Sequence, residues 1–274
     1  MSQKLKYIIN VIHIFFSYLK KWYRLLAMYF ALSCIKQILW YKKYSLITQT
    51  FENNITISLP NNHLTLLVIS EIFLFEMLKP LKWCKCVLDI GWYIWESAIY
   101  LSKQNKNVIV FEPDIDAYKI LKKNITAYHN IISHNQFVTL DGEDLYINKK
   151  EDIDCGAKWS HDKTWIRIAS TSIKDILANY HDIDGIKIDI EWGEYEILEY
   201  MLNKNLFNFK KWFIEFHFYD NIHQSKQFFI DFCEKIKWLG YIYIIFDNAN
   251  RTIPQLAVQN TSLFLCNIYF EQWN

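Results

Sequence analysis

The sequence predicts an α/β protein built on a doubly wound, mostly parallel β-sheet with an antiparallel edge strand. Short apolar runs rich in Ile, Val and Phe alternate with longer amphipathic stretches. Strands that alternate with helices of this length are joined by right-handed crossovers and form parallel sheets. The last two apolar runs, 241–246 and 262–270, have no long helix between them, which predicts an antiparallel pair.

Each predicted element has a local reason. ITISL at 55–59 lies between Asn and Pro residues that favour turns, so it is predicted as a short strand. A helix over 65–78 is predicted to stop near Pro80. Asp141–Gly142 predicts a hairpin-like turn. The remaining predicted strands are 86–90, 108–112, 131–135, 185–190 and 211–218, and the remaining helices are 95–104, 115–128, 194–203 and 224–238.

Composition and charge exclude several classes of protein. With 52% hydrophobic and 22% charged residues in 274, the chain is not disordered, collagen-like or of low complexity. A net charge of +1 argues against a nucleic-acid partner. The charge is unevenly distributed, because residues 1–51 hold eight basic and no acidic residues while the remainder holds 22 basic and 29 acidic ones.

Residues 1–50 are predicted to form a basic amphipathic helical leader, followed by one domain at 51–274. The leader's two apolar runs, 7–19 and 25–35, are shorter than the roughly 18 residues of a spanning helix. Two interpretations remain open: peripheral contact with an anionic membrane through residues 1–45, or packing on the chain itself or another subunit. We expect a cytoplasmic protein, and the first interpretation places it at the inner membrane face.

Cysteine usage indicates buried thiols rather than a disulfide scaffold. Six cysteines in 274 residues are too few for such a scaffold. Cys84 and Cys86 form a CxC pair without a second ligand pair, so we expect no metal site.

Candidate site residues follow the predicted strands, because ligands of doubly wound sheets bind beyond the carboxyl ends of the strands. Asp89 and Gly91 end one strand, and Glu112 ends the next, 23 residues after Asp89. That spacing is typical of an acidic residue that accepts hydrogen bonds from both ribose hydroxyls of a nucleotide cofactor. The alternative is that Glu112 only stabilises the start of the following helix.

A second group of candidates follows the later strands. Asp189 and Glu191 alternate on one face at the end of a strand, and two adjacent carboxylates repel unless something bridges or protonates them. Glu215 and His217 alternate in the same way at the next strand. A proton acceptor is therefore expected among Asp189, Glu191 and His217, although a single histidine is more often a packing residue.

Three ordered segments resemble the FkbM family of S-adenosylmethionine-dependent methyltransferases. They are VLDIGWYIWESAIYLSKQNKNVIVFEPDIDAYKILKKNI at 87–125, GIKIDIEWGEYEIL at 185–198 and WFIEFH at 212–217, with a weaker resemblance in ISEIFLFEMLKP at 69–80. The resemblance implies a class I methyltransferase, Rossmann-like sheet of seven strands with the last strand antiparallel. It also implies methyl transfer to oxygen, often to a hydroxyl of a sugar or related metabolite.

The resemblance assigns roles to the candidates. Asp89 and Gly91, with position 95 at the end of their loop, would lie against the methionine end of S-adenosylmethionine. Glu112 would hold its ribose, and Asp189 and Glu191 would line the cleft where the methyl group leaves.

Tryptophan occupies positions at which the family has small residues. Trp95 replaces the second glycine of the D-x-G-x-x-x-G loop, Trp192 replaces the glycine after the fourth-strand Glu, and Trp92 and Trp83 fall at similar positions. The chain contains 11 Trp and only 6 Gly, whereas ordinary usage gives roughly 19 Gly. An indole at position 95 should crowd the cofactor pocket.

Two explanations of this pattern are open. The fold has lost the cofactor and acts as a non-catalytic binding or scaffold module, or several of these tryptophans are UGA codons that the organism reads as glycine. We predict a methyltransferase that acts on a small-molecule or glycan acceptor, with the scaffold as first alternative. A nicotinamide-dependent dehydrogenase is a second alternative, disfavoured by the acidic strand ends.

Overall fold

The computed structural model describes residues 46–51, 55–60, 72–73, 76–91, 96–147, 159–190, 193–218, 222–246, 252–255, 258 and 265–272. The predicted leader helices, and most of the predicted helix 65–78, lie outside these ranges. Residues 46–50, which the sequence placed in the leader, belong to a strand that pairs antiparallel with 55–60.

The described residues form fifteen strands and five α-helices. The strands are β1 (Leu46–Phe51), β2 (Ile55–Pro60), β3 (Cys86–Gly91), β4 (Asn107–Phe111), β5 (Ile131–His134), β6 (Phe137–Thr139), β7 (Leu145–Ile147), β8 (Trp159–Ser160), β9 (Ile166–Ile168), β10 (Ser170–Ser172), β11 (Gly185–Asp189), β12 (Lys211–His217), β13 (Tyr241–Phe246), β14 (Thr252–Ile253) and β15 (Leu265–Gln272). The helices are α1 (Glu96–Gln104), α2 (Ile115–Asn124), α3 (Ile173–Asn179), α4 (Glu194–Asn203) and α5 (Ile222–Trp238). Short 3₁₀ helices cover Lys79–Leu81 and Ile125–Ala127.

A central eight-stranded sheet has the order β14-β13-β15-β12-β11-β3-β4-β5. The strands from β12 to β5 are parallel to their neighbours, whereas β15 runs antiparallel between β12 and β13 and β14 is an antiparallel edge strand. The predicted fold class and the predicted antiparallel pairing of the last two long strands are therefore confirmed. The two-residue β14 adds an eighth strand to the seven that the resemblance implied.

Helices cover both faces of the sheet, which explains why its inner strands are continuous apolar runs. Every residue of β3 is buried, as expected for a parallel strand that packs on both sides. Successive residues of β3 belong to different hydrophobic clusters. Val87 belongs to the cluster that contains α1 and α2, and Leu88 belongs to the cluster that contains α3, α4 and α5.

The segment between β5 and β11 differs from the sequence prediction. Asp141–Gly142 does not join a hairpin, because β6 pairs in parallel with β10 while β7 pairs antiparallel with β8 and β9. Gly142 does adopt a positive φ of 85°, so the turn was predicted correctly and only the pairing of its flanks was wrong. Strands of two or three residues are too short to show a period.

Two further expectations can be compared with the described residues. Cys84, Cys86, Cys233 and Cys266 are buried free thiols. In the part of the chain that the structure describes, none of the helices combines the length and apolar character needed to cross a bilayer.

Candidate active site

Three strand ends meet at the carboxyl edge of the sheet and position the predicted cofactor residues. Asp89 on β3 lies opposite Val110 of β4 on one side and opposite Lys187 of β11 on the other. Because Ile90 pairs with Phe111, the next residue along each strand places Glu112 beside Gly91. The strands that carry Asp89 and Glu112 are therefore neighbours in the sheet.

Asp89 is fully buried and fixed from two sides. Its Oδ2 accepts a hydrogen bond from the Ser97 hydroxyl at 2.6 Å, and its Oδ1 lies 3.4 Å from the Lys187 ammonium. Gly91 keeps this arrangement open, since a Cβ at that position would come within 3.0 Å of Lys187 Nζ and 3.3 Å of Asp89 Oδ1. A side chain at position 91 would therefore force Lys187 Nζ and Asp89 Oδ1 to shift by a few tenths of an ångström.

Lys187 is a central residue that the sequence reasoning missed. Its ammonium is buried and lies 3.2 Å from Asp189 Oδ2 and 3.4 Å from Asp89 Oδ1. Burial alone would lower the pKa of Lys187, but the carboxylates of Asp189 and Asp89 outweigh it and raise the pKa above its usual value. The available signal was a single cation inside an otherwise apolar strand, which requires a buried anionic partner.

Three of the four residues in the second predicted group also come together. Asp189, Glu215 and His217 each offer a ligating atom, and these atoms lie within 4.8 Å of one another. His217 Nδ1 lies 3.1 Å from Glu194 Oε1, and Nε2 lies 3.3 Å from Glu215 Oε1. Burial opposes the charged imidazolium, yet hydrogen bonds with Glu194 and Glu215 raise the pKa of His217 to about 12.

Asp189 is the partly open member of this group, with 22% of its side chain exposed. Burial raises its pKa above the ordinary value, and the Lys187 ammonium opposes that effect. The donor set of Asp189, Glu215 and His217 could ligate a cation, but each carboxylate already has a cationic partner in Lys187 or His217. The absence of a metal stays a prediction.

Glu112 is buried at the end of β4. Its Oε1 accepts a hydrogen bond of 2.7 Å from the backbone N–H of Asp114, while Asp114 itself caps α2 by accepting from two backbone N–H groups. The helix-capping role considered for this segment therefore belongs to Asp114, and Glu112 is positioned by the turn rather than by the helix.

A cleft opens over the same carboxyl edge. It contains about 860 Å³ of space, open solvent included, and its wall includes Gly91, Phe111, Pro113 and Ile190. The loop after β6 contributes Asp141 and Glu143, and His161 also lines the cleft. The sequence reasoning did not select these three residues, although the first two follow a strand end as the chosen ones do.

Several predicted residues lie outside the described part of the chain. They are Glu191, Trp92, Trp95 and Trp192. Trp83 is described: it has a φ of 66°, in the left-handed region that favours glycine, and its side chain is 85% exposed. The expectation that position 83 suits a glycine turn is therefore consistent with its backbone.

Two features together define a class I methyltransferase domain. One is the strand order, in which the antiparallel strand β15 lies next to the last parallel strand, β12. The other is the group of acidic residues at the carboxyl edge of the sheet. The sequence profile of the methyltransferase FkbM domain matches residues 88–243. The chain belongs to this family of S-adenosylmethionine-dependent methyltransferases. Among curated proteins, no sequence matches it significantly.

Solved structures of methyltransferases and related proteins are similar in fold. An rRNA methylase from Streptococcus thermophilus shares 8% identity, with 73% of this chain and 93% of that chain covered and a TM-score of 0.43. The fibrillarin pre-rRNA processing protein of Methanococcus jannaschii shares 14% identity, with 84% of each chain covered and a TM-score of 0.43. Aeropyrum pernix fibrillarin, solved with natively bound S-adenosylmethionine, shares 9%, with 84% of each chain covered and a TM-score of 0.42.

The described residues fit a cationic nucleoside cofactor. Asp89 Oδ1 and both carboxylate oxygens of Glu96 are buried without a hydrogen-bond partner in the described part of the chain. Buried acceptors of this kind require donors. S-adenosylmethionine carries an ammonium group, and Gly91 adds no Cβ beside Asp89 and Lys187.

Proposed function

We propose that this chain transfers the methyl group of S-adenosylmethionine to a hydroxyl oxygen of a sugar or a related hydroxylated metabolite. The observation that carries the proposal is the juxtaposition of Asp89, Lys187 and Asp189 at one strand edge. It combines a buried carboxylate, that of Asp89, with a partly open one, that of Asp189, linked by the Lys187 ammonium.

The cofactor is assigned to three described residues. Asp89 and Gly91 would lie against its methionine end, and Glu112 would accept hydrogen bonds from the ribose hydroxyls. The strand register supports the assignment of the methionine end to Gly91 and of the ribose to Glu112, because Glu112 lies beside Gly91 on the neighbouring strand. Position 95 completes the same loop.

When bound, the cofactor supplies a methyl group activated by the sulfonium. The protein's contribution is to align the acceptor and remove its hydroxyl proton. Asp189 suits proton removal, because burial raises the pKa of its carboxyl and so increases its affinity for a proton. Lys187 holds that carboxylate in place at 3.2 Å.

The other two predicted catalytic residues, His217 and Glu191, differ in their suitability as the base. Burial opposes a charged His217, but hydrogen bonds with Glu194 and Glu215 raise its pKa to about 12, so it retains its proton and is poorly suited to accept another. We assign it a positioning role toward the carboxylates around it. Glu191 lies outside the described residues and stays a predicted contributor to the cleft.

The cleft wall supports a neutral hydroxylated acceptor over a phosphorylated one. Its described residues include Asp141, Glu143 and Glu196, but neither Lys nor Arg. Phosphate recognition ordinarily uses Arg or Lys. Hydroxyl groups can donate to these carboxylates, so acidic walls favour sugars and similar polyols.

The test is methyl transfer by the full chain to a panel of hydroxylated acceptors, with Asp189→Asn compared against the exposed control Asp231→Asn. Removal of a general base lowers kcat by about 10²- to 10⁴-fold, and we expect that loss in Asp189→Asn alone, with S-adenosylmethionine affinity retained. An unchanged kcat in Asp189→Asn would refute the assignment of the base.

Calorimetry with S-adenosylmethionine addresses the non-catalytic alternative. The chain as written is compared with Trp95→Gly combined with Trp192→Gly. Binding by either form supports the methyltransferase proposal. Absence of binding in both would favour a scaffold or binding module.

A further inference from the structure

Two tryptophans are the most exposed large apolar side chains in the described part of the chain. Trp83 is 85% exposed and Trp238 is 87% exposed, whereas the other exposed apolar side chains range from 38% to 51%. An exposed indole loses the stabilisation that burial would give it. Trp83 is also held at a φ of 66°, which disfavours a residue with a Cβ. The stability of the fold therefore explains neither indole.

Both tryptophans lie at the amino edge of the central sheet, at the opposite end of the parallel strands from the candidate active site. Trp83 lies three residues before β3, and its ring centroid is 5.9 Å from the ammonium of Lys211, the first residue of β12. Trp238 ends α5 and lies three residues before β13. Since β12 and β13 both run antiparallel to β15, which lies between them, their first residues share one edge and are about 10 Å apart.

Exposed lysines lie at the same edge. They occupy the starts of strands and the last turn of α5, and they are Lys85, Lys106, Lys210, Lys235 and Lys237. Exposed acidic residues there, such as Asp182 and Glu234, are fewer. The lysines of α5 also suit the helix dipole, but that effect accounts neither for Lys85 and Lys210 nor for the indoles.

We propose that this surface, formed by the two tryptophans, Leu239 and the five lysines, binds the anionic surface of a lipid bilayer. Indoles are typical of the membrane–water interface, because the ring is apolar while its N–H is polar. Lysines are attracted to the negative charge of anionic headgroups. The contact is peripheral: among the described helices none is long and apolar enough to cross a bilayer.

Nucleic acid is the other polyanion that a basic surface can bind, through charge and through bases that stack on aromatic rings. Two observations favour the bilayer. A net charge of +1 gives the chain little long-range attraction for a polyanion. The exposed side chains of Leu239 and Ile242 continue the apolar surface beyond Trp238, and aliphatic side chains suit acyl chains better than bases.

The proposal fixes the orientation of the domain at a membrane. The cleft opens at the carboxyl edge of the sheet, so contact through the amino edge turns the cleft away from the bilayer. An acceptor then reaches the cleft from the aqueous phase. Membrane contact of this kind requires no cofactor and is independent of the proposed methyl transfer.

The experiment measures cosedimentation of the full chain with two kinds of vesicle, phosphatidylcholine alone and phosphatidylcholine with roughly one-third phosphatidylglycerol, an anionic lipid. Trp238→Ser removes one indole, and Lys85→Gln combined with Lys210→Gln removes two charges. The control is Ile166→Ser, because Ile166 is an exposed apolar residue in a separate three-stranded sheet. Residues 1–45 are present in every variant, so differences between variants report on the amino edge. Thermal melting checks that each variant is folded.

We expect the unmodified chain to bind the anionic vesicles and not phosphatidylcholine alone. Trp238→Ser should weaken binding by about tenfold, because it removes a large, partly apolar contact. The double lysine variant should weaken binding by about 25-fold, or about fivefold for each charge. Ile166→Ser should change the affinity by less than about twofold.

Four results would overturn the inference. They are failure of the full chain to bind anionic vesicles, unchanged affinity in Trp238→Ser or in the double lysine variant, tighter binding of single-stranded RNA than of vesicles, and glycine at position 83 or 238 in the native protein by mass spectrometry. The third result would assign the surface to nucleic acid. The proposed function would stand after any of them, since cofactor binding and methyl transfer test it separately.

Discussion

Replacing Lys187 by methionine tests the buried charge arrangement at the centre of the site. Met has a similar length and no charge, so the change removes the ammonium that lies 3.4 Å from Asp89 and 3.2 Å from Asp189. Breaking a buried ion pair by removing one partner costs about 3–5 kcal/mol, because the remaining charge stays buried. That cost lowers the melting temperature by roughly 6–20 °C in a domain of this size.

The matched control is Lys119→Met. Lys119 pairs with Asp116 at 2.9 Å, but the two side chains are 67% and 40% exposed. Exposed pairs contribute about 0–1 kcal/mol, so this variant should melt within a few degrees of the unmodified chain. Denaturant titration gives the free energy of unfolding of all three proteins.

The pH dependence provides a further check on Lys187→Met. Burial already raises the pKa of Asp189, and Lys187 opposes the rise, so loss of Lys187 raises that pKa further. A carboxyl with a raised pKa in the folded state destabilises the fold at a pH above that folded-state pKa. The effect disappears at a pH below the unfolded-state pKa of about 3.9. The deficit should therefore be smaller at pH 5 than at pH 8. A deficit under 1 kcal/mol at pH 8, or one independent of pH, would refute the reasoning.

Three other predictions follow from particular residues. Trp83→Gly should stabilise the fold by about 0.5–1 kcal/mol in denaturant titration. Glycine adopts the left-handed conformation of position 83 without strain, and this gain outweighs the extra chain entropy of glycine in the unfolded state. A loss of stability would contradict this reasoning. His217→Gln should lose less stability at pH 9 than at pH 6. The pKa of His217 is raised to about 12 in the folded protein, so its stabilising effect is complete below the unfolded pKa of about 6.5 and declines as the pH rises toward the folded pKa. An equal loss of stability at both pH values would contradict a charged His217. Mass spectrometry of the native protein should show glycine at positions 95 and 192 if those codons are UGA, and UGG codons there would end that hypothesis.

The fold could be predicted because its strongest signals are local. Strands such as β3 and β11 are short apolar runs between helical patterns, and buried parallel strands require such runs. The order of the elements then limits the topology, because crossovers are right-handed and strand ends share one edge. Asp89, Gly91, Glu112 and Asp189 were found by that rule alone.

Other features depend on contacts that the sequence pattern does not encode. Lys187 was missed because a cation inside an apolar strand was read as part of the strand, and its partners lie on β3 and two residues along its own strand. Glu96 was read as part of a helix, since only burial shows that its carboxylate lacks a partner. The β6–β10 region was mispaired because strands of three residues carry too little information on register.

The measurement that tests the central claim most directly is a crystal structure of the full chain with S-adenosylhomocysteine. We predict that the ribose hydroxyls lie within hydrogen-bond distance of Glu112, that the sulfur faces the side of the cleft where Asp189 lies, and that the amino group contacts Asp89. A ligand bound at another edge of the sheet, or with its ribose away from β4, would contradict the account.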